Sequence, residues 1–133
     1  ENRNSRLWGL YLLEAGKAPL AEAREAVLRN QRADGGWAQL ENMESDTYAT
    51  GQTLFVLREI GLAVSDPPYQ RGLRHLLDTQ LGDGSWRART RSKPVQTFFD
   101  SYFPHGKDQF ISICATSWAV AALAPASSPE SSK

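Results

Sequence analysis

A seven-residue segment occurs twice in this chain, and the repetition restricts the fold more than any other feature. Gln31-Arg32-Ala33-Asp34-Gly35-Gly36-Trp37 returns 49 residues on as Gln80-Leu81-Gly82-Asp83-Gly84-Ser85-Trp86, with Gln, Asp, Gly and Trp in matching places. A period of this length marks a stacked repeat architecture. The segments leading into the two copies align as well: Pro19 to Gln31 and Pro68 to Gln80 are equally long, with Ala26-Val27-Leu28 facing His75-Leu76-Leu77. A third stretch repeats at a longer interval. Ala49-Thr50-Gly51-Gln52-Thr53-Leu54 resembles Ala115-Thr116-Ser117-Trp118-Ala119-Val120, 66 residues further, so the second copy carries about 17 extra residues between Trp86 and Asp108. The unit is a helical hairpin, present about two and a half times.

The segments between the motifs read as helices. Glu14-Ala15-Gly16 and Glu59-Ile60-Gly61 place a glycine where a helix ends in a left-handed residue. Asp66-Pro67-Pro68 opens a helix with a capping acid and a proline in the first turn, and Ser45-Asp46 can cap another. Leu7 to Ala15 and Phe110 to Ala124 are apolar almost all round, as in a helix buried on every side. Pro19 to Arg32 and Pro68 to Gln80 instead set an apolar stripe (Leu20, Ala23, Val27; Leu73, Leu76, Leu77) against a charged face. Alternating inner and outer helices predict an all-α fold, an incomplete α/α toroid-like array of helical hairpins over residues 1–125. Residues 126–133 read as a tail or linker, and the chain, opening on Glu1, as an excerpt of a longer protein.

The two Gln-to-Trp segments, each closing an outer helix and followed by an inner one, resemble the QW motifs of the squalene-hopene cyclase and protein prenyltransferase superfamily. The resemblance spans about Leu7 to Ala124. It implies a structural role for Gln31, Gly35, Trp37, Gln80, Gly84 and Trp86, with each Trp ring on its Gln side chain tying one helix end to the next. The residues themselves agree: Asp-Gly after a helix makes a tight turn, and Trp supplies a large apolar contact with one donor.

What the resemblance implies for catalysis is largely missing from the chain. Cyclases of that type protonate an alkene with an Asp in a D-x-D-D-T segment; here the place reads Met43-Glu44-Ser45-Asp46-Thr47, which keeps Asp46 without its supporting acids. Asp46 is therefore expected to cap a helix or to hydrogen-bond the adjacent repeat. Prenyltransferases of the same fold hold zinc on Asp, Cys and His. This chain has one cysteine, Cys114, inside an apolar helix where it reads as a small buried hydrophobe, and His75 sits on an outer helix in a surface or packing role. No metal and no cofactor is expected.

The extra residues after Trp86 are the distinctive part. Arg87, Arg89, Arg91 and Lys93 alternate, which in an extended segment puts all four cations on one side. Phe98, Phe99, Tyr102 and Phe103 follow. A basic strip beside an aromatic cluster is suited to an isoprenoid or lipid ligand with an anionic head, with Arg87, Arg89, Arg91, Phe98, Phe99, Tyr102 and Trp118 as candidate contacts; equally, the aromatics can seal the open end of an array. His105, with Asp100 and Asp108 near it in sequence, has acid-base potential, so Asp46, His105 and Asp108 are the candidate catalytic residues.

Composition sets the remaining bounds. Fifteen Lys+Arg balance fifteen Asp+Glu, which removes the global field that gathers nucleic acid, and the basic strip is too short for single-stranded nucleic acid. No run of wholly apolar residues reaches the ~18 of a membrane span. A single cysteine excludes a disulfide framework, and the sequence assigns no compartment. The expected function is that of a non-catalytic or incomplete repeat domain acting in binding or assembly within a larger protein, completed by the rest of that chain or by a second copy in a homodimer. The alternative is a fragment of a terpenoid cyclase or isoprenoid-handling enzyme whose cavity is lined by Trp8, Tyr11, Tyr48, Phe55 and Trp118.

Overall fold

The computed structural model describes residues 3–91 and 99–127. Five α-helices follow in order: α1 (Arg3–Leu12), α2 (Lys17–Leu28), α3 (Thr47–Glu59), α4 (Pro67–Asp78) and α5 (Gln109–Ser127), the last preceded by a 3-10 turn, Gly106–Asp108. The described residues contain no strand, and the fold is all-α. Helix α5 runs two residues past the expected domain end at 125.

The helix ends follow local chemistry. Asp46 caps α3, its carboxylate accepting from the Ala49 amide at 2.9 Å. Asp66 precedes the prolines of α4, although its side chain turns back to accept from the Ala63 amide. Gly61, at φ +96°, ends α3, with the Leu62 amide donating to the Leu57 carbonyl and the Gly61 amide to that of Arg58. The same pair of bonds ends α1 two residues earlier than expected: Glu14, not Gly16, takes the left-handed position, at φ +50°. Gly16 is needed two residues later, where φ +84° and ψ 164° open α2 in a region almost reserved for glycine.

Leu7, Val27, Leu54, Val56, Leu57, Tyr69 and Leu76 are almost fully buried and form one core with Trp37 and Trp86. Each such aliphatic side chain contributes about 1.5–3 kcal/mol by leaving water. Helix α5 packs chiefly on α3. The crossing is close: a Cβ on Gly51 would lie 2.8 Å from the Trp118 carbonyl carbon and 2.9 Å from the Ala119 nitrogen. Tyr69, unremarked in the sequence, ties α4 to α5 by donating to the Ala122 carbonyl at 2.9 Å; burial raises its phenol above the ordinary value against the pull of Arg58.

Three expectations about apolar residues need correction. Helices α1 and α5, expected to be inner helices, are not enclosed on every side. Leu12 and Leu13 are 67% and 80% exposed, Phe110 and Val120 stand open, and Cys114 is exposed rather than buried. An apolar circumference records what a helix can bury, whereas coverage depends on which neighbours are present. Leu77, assigned to the buried stripe of α4, is exposed, and Tyr69 with Gly72, Leu73 and Leu76 forms the stripe instead. Finally, Gly106–Ser127 is long and apolar enough, by length and composition, to cross a membrane, its most apolar 18-residue window having a mean hydropathy of 1.5. Counting only uninterrupted apolar residues missed it because Ser112, Thr116 and Ser117 interrupt the run. Its Ala115, Ala119 and Ala122 lie buried within the helical core.

Candidate functional site

The first motif knots three helices together. The Gln31 amide donates to the Gly35 carbonyl at 2.9 Å and to the Pro68 carbonyl of α4 at 2.8 Å, while its oxygen accepts from Arg71 at 2.6 Å. Trp37 donates through Nε1 to the Val27 carbonyl of α2 at 2.9 Å, and the Thr50 hydroxyl of α3 brackets the Trp37 backbone, accepting from its N–H at 2.9 Å and donating to its carbonyl at 3.3 Å. The turn needs its glycine. Gly35 sits at φ +83°, and a Cβ there would lie 2.4 Å from the Arg71 carbonyl oxygen.

The second motif repeats the local half of this pattern. Gln80 donates to the Gly84 carbonyl at 3.0 Å, Trp86 Nε1 to the Leu76 carbonyl at 2.7 Å, and the Thr116 hydroxyl brackets the Trp86 backbone as Thr50 does that of Trp37. The 66-residue match is thus expressed as the same hydrogen bonds. Gly84 keeps φ +82° but faces open space.

Beyond Trp86 the chain runs antiparallel to α5 as a strap. Thr116 holds Trp86, the Ser112 hydroxyl accepts from the Ala88 amide at 3.2 Å and donates back to its carbonyl at 3.4 Å, and Asp108 Oδ1 accepts from the Thr90 amide at 3.0 Å. Two residues of extended chain advance about 6.6 Å and four of a helix about 6 Å. Residues 86, 88 and 90 therefore stay in step with 116, 112 and 108. The expected alternation is present: Trp86 and Ala88 are buried, while Arg87, Arg89 and Arg91 point outward.

Those cations are not equivalent. Arg87 clasps Asp108 Oδ2 through Nε (3.2 Å) and Nη2 (2.9 Å). Burial opposes the ionisation of Asp108, and the Thr90 amide with the Arg87 guanidinium outweighs it, holding the carboxyl below its ordinary value. Arg91 donates through Nε to Gln39 Oε1, in the loop after the first motif, at 2.8 Å. Arg89 carries no such partner among the described residues. Lys93 and Phe98 lie outside the described residues.

Phe99 and Tyr102 are 70% and 94% exposed, and Phe103 meets the His105 ring edge-on, with centroids 6.2 Å apart. Buried Gln109, which the sequence did not single out, anchors this stretch by accepting from Ser101 and donating to the Phe99 carbonyl. His105, left-handed at φ +86°, accepts from the Asp108 amide at its backbone carbonyl, but its imidazole pairs with neither the Asp100 nor the Asp108 carboxylate: its Nε2 is 2.9 Å from the Ser85 hydroxyl, which lies 2.6 Å from Asp83 Oδ1. The bonds from Ser85, with the charge of His105 beyond, keep Asp83 below its ordinary value. Serine stands between acid and histidine, which is not the order that activates a serine nucleophile. Asp108 is a buried anchor. His75 is buried on α4 with Nδ1 3.8 Å from Asp34. Trp118 packs in a cluster with Trp8 of α1 and Phe55 of α3, centroids 5.2 to 6.5 Å apart. Among the described residues no group of His, Cys, Asp or Glu is placed to hold a metal ion.

No protein-family model matches this chain, and no curated protein matches it significantly.

Proposed function

We propose that this chain is one stretch of a helical-hairpin array of the squalene-hopene cyclase and prenyltransferase type, curving toward an α/α toroid, and that it acts in binding or assembly by receiving a further hairpin at its α5 end. A position-by-position difference between α3 and α5 carries this reading. At the 66-residue interval Thr47, Gly51 and Leu54 correspond to Ile113, Ser117 and Val120. On α3 all three are buried, Gly51 against α5 and Leu54 against Gly72 of α4. On α5 the same places are half-buried or exposed, Val120 at 55%. Among the described residues nothing does for α5 what α4 and α5 do for α3. Another outer and inner helix would complete it, since each repeat of such an array is stabilised by its neighbours.

A chain in which residues 62–127 are repeated after Ser127 tests the proposal. A higher denaturant midpoint and weaker binding of a hydrophobic dye are expected; an unchanged midpoint with undiminished dye binding would refute it. Sedimentation of the present chain identifies the source of the hairpin. Concentration-dependent association weakened by Val120→Glu assigns it to a second copy, and a monomer at all concentrations to a longer chain.

The Trp8, Phe55 and Trp118 cluster favours a second reading, a fragment of an isoprenoid-handling enzyme whose inner aromatic faces meet an apolar substrate or its carbocations. Against it, Asp46 stands without the supporting acids of the cyclase motif, its Oδ1 capping α3 while its Oδ2 is buried without a hydrogen-bond partner. Saturable quenching of tryptophan fluorescence by squalene or a prenyl diphosphate would shift the balance to this reading.

A further inference from the structure

The loop after the first motif, residues 38–42, stands off from α1 and leaves two adjoining cavities of about 590 and 550 Å³, both bordered by Arg3, Gln39, Leu40 and Glu41. Arginine dominates the charge along this cleft. The larger cavity adds Arg6, and the smaller adds Arg29, Arg32 and Arg91, against Glu41 as the one acid. The basic strip read from the sequence thus delivers its last described cation, Arg91, not to the aromatic cluster but across the molecule to this cleft.

The local hydrogen bonds leave donors in excess. Arg91 takes Gln39 Oε1, which fixes the orientation of that amide and leaves Gln39 Nε2 buried without an acceptor. Arg32 Nη2 donates to the Glu41 backbone carbonyl at 3.0 Å and Arg3 Nη2 to the Glu41 carboxylate at 2.8 Å. Glu41 is thus a carboxylate already seated among these arginines, held ionised below its ordinary value by Arg3. Its side chain is 82% exposed, so the pairing is weak and easily exchanged. Guanidinium groups around a water-filled cleft are the standard partners of planar or tetrahedral oxyanions, which they bind in pairs of hydrogen bonds.

From this arrangement we infer that the cleft between α1 and the 38–42 loop is a binding site for an oxyanion, a phosphate or carboxylate group, gripped by Arg3, Arg32 and Arg91 with Gln39 as a further donor and Glu41 displaced. The site is independent of the hairpin-docking end and of the aromatic residues 99–103.

Trp37 borders the smaller cavity, so its fluorescence reports occupancy. Titration with inorganic phosphate, and separately with citrate, against sodium chloride at matched ionic strength should give a saturable change; which anion saturates first identifies the group. Arg91→Gln should weaken binding about tenfold, the loss of ~1.4 kcal/mol. Arg89→Gln, the same charge change outside the cleft, should leave it unaltered. Equal responses to phosphate, citrate and chloride, or equal weakening by both variants, would overturn the inference. Circular dichroism of each variant checks that the fold is retained.

Discussion

The two motifs are built from the same residues and carry different loads. In the first, Gln31 reaches forward to Pro68 and Arg71 of α4, and Gly35 is pressed against the α4 backbone. In the second, Gln80 reaches only its own turn and Gly84 meets nothing. What differs is a following helix, α4, which the first motif has and which the second has no equivalent of among the described residues. The local fold of the motif, a turn closed by Gln and pinned by Trp, forms without that helix. Its reach beyond its own turn depends on having it.

The largest expected effect separates Leu54 from its counterpart Val120. Leu54 is 0% exposed, so Leu54→Ala removes about 3 kcal/mol of buried contact and leaves a cavity beside Gly72. Val120→Ala should change stability by less than about 0.5 kcal/mol, as surface substitutions do. Urea denaturation of both variants measures the gap. Equal losses would mean that α5 is already covered in solution, and the comparison would then describe an assembled molecule.

The fold was legible to the extent that it rests on local chemistry. The cap at Asp46 and the glycine stop at Gly61 are readable from spacing because each is a short-range bond with a residue-type signature, and the correspondence of Thr50 with Thr116 is readable because the segment around them repeats; Asp66 stands at the expected N-cap position, but its side chain bonds the Ala63 amide and caps nothing. Burial was less readable. Cys114 and Leu77 have the composition of core residues, but exposure is decided by which elements distant in sequence pack against them. The candidate site divided the same way. Alternation placed the three arginines outward, yet it could not tell that Arg87 would be claimed by Asp108 or Arg91 by Gln39, contacts 21 and 52 residues apart. His105 was linked to acids near it in sequence and instead found Ser85, twenty residues back.

A smaller effect distinguishes the two glutamines. Gln31→Ala removes the donor to Gly35 and Pro68 and the acceptor for Arg71, a loss of about 2 kcal/mol at ~1 kcal/mol or less per partly buried hydrogen bond. Gln80→Ala loses one exposed bond, at under about 1 kcal/mol. Adding residues 62–127 after Ser127 should sharpen the test by raising the cost of Gln80→Ala toward that of Gln31→Ala, because Gln80 would then have a following outer helix to hold. A cost that stays low in the lengthened chain would mean that the motif's role is confined to its own turn.

The smallest effect concerns the strap, which the second copy has and the first lacks: Asn42, the counterpart of Asp108, is exposed. Asp108 is 1% exposed and held below the ordinary aspartate value of 3.8 by Thr90 and Arg87 against the cost of burial. A carboxyl depressed on folding binds fewer protons in the native state than in the unfolded chain. Its contribution is fully present above that ordinary value and is lost as pH falls through the lower folded value. Asp108→Asn should therefore lower the melting temperature at neutral pH and flatten its decline below about pH 4. Asp83, also depressed but exposed beside Ser85, offers the control. Asp83→Asn should leave the acid limb nearly unchanged, because solvent screens an exposed carboxylate. Thermal melts of the two variants across this pH range decide the matter: if both flatten the acid limb equally, the strap is not held by its buried acid, and the hydroxyls of Ser112 and Thr116 suffice to keep it on α5.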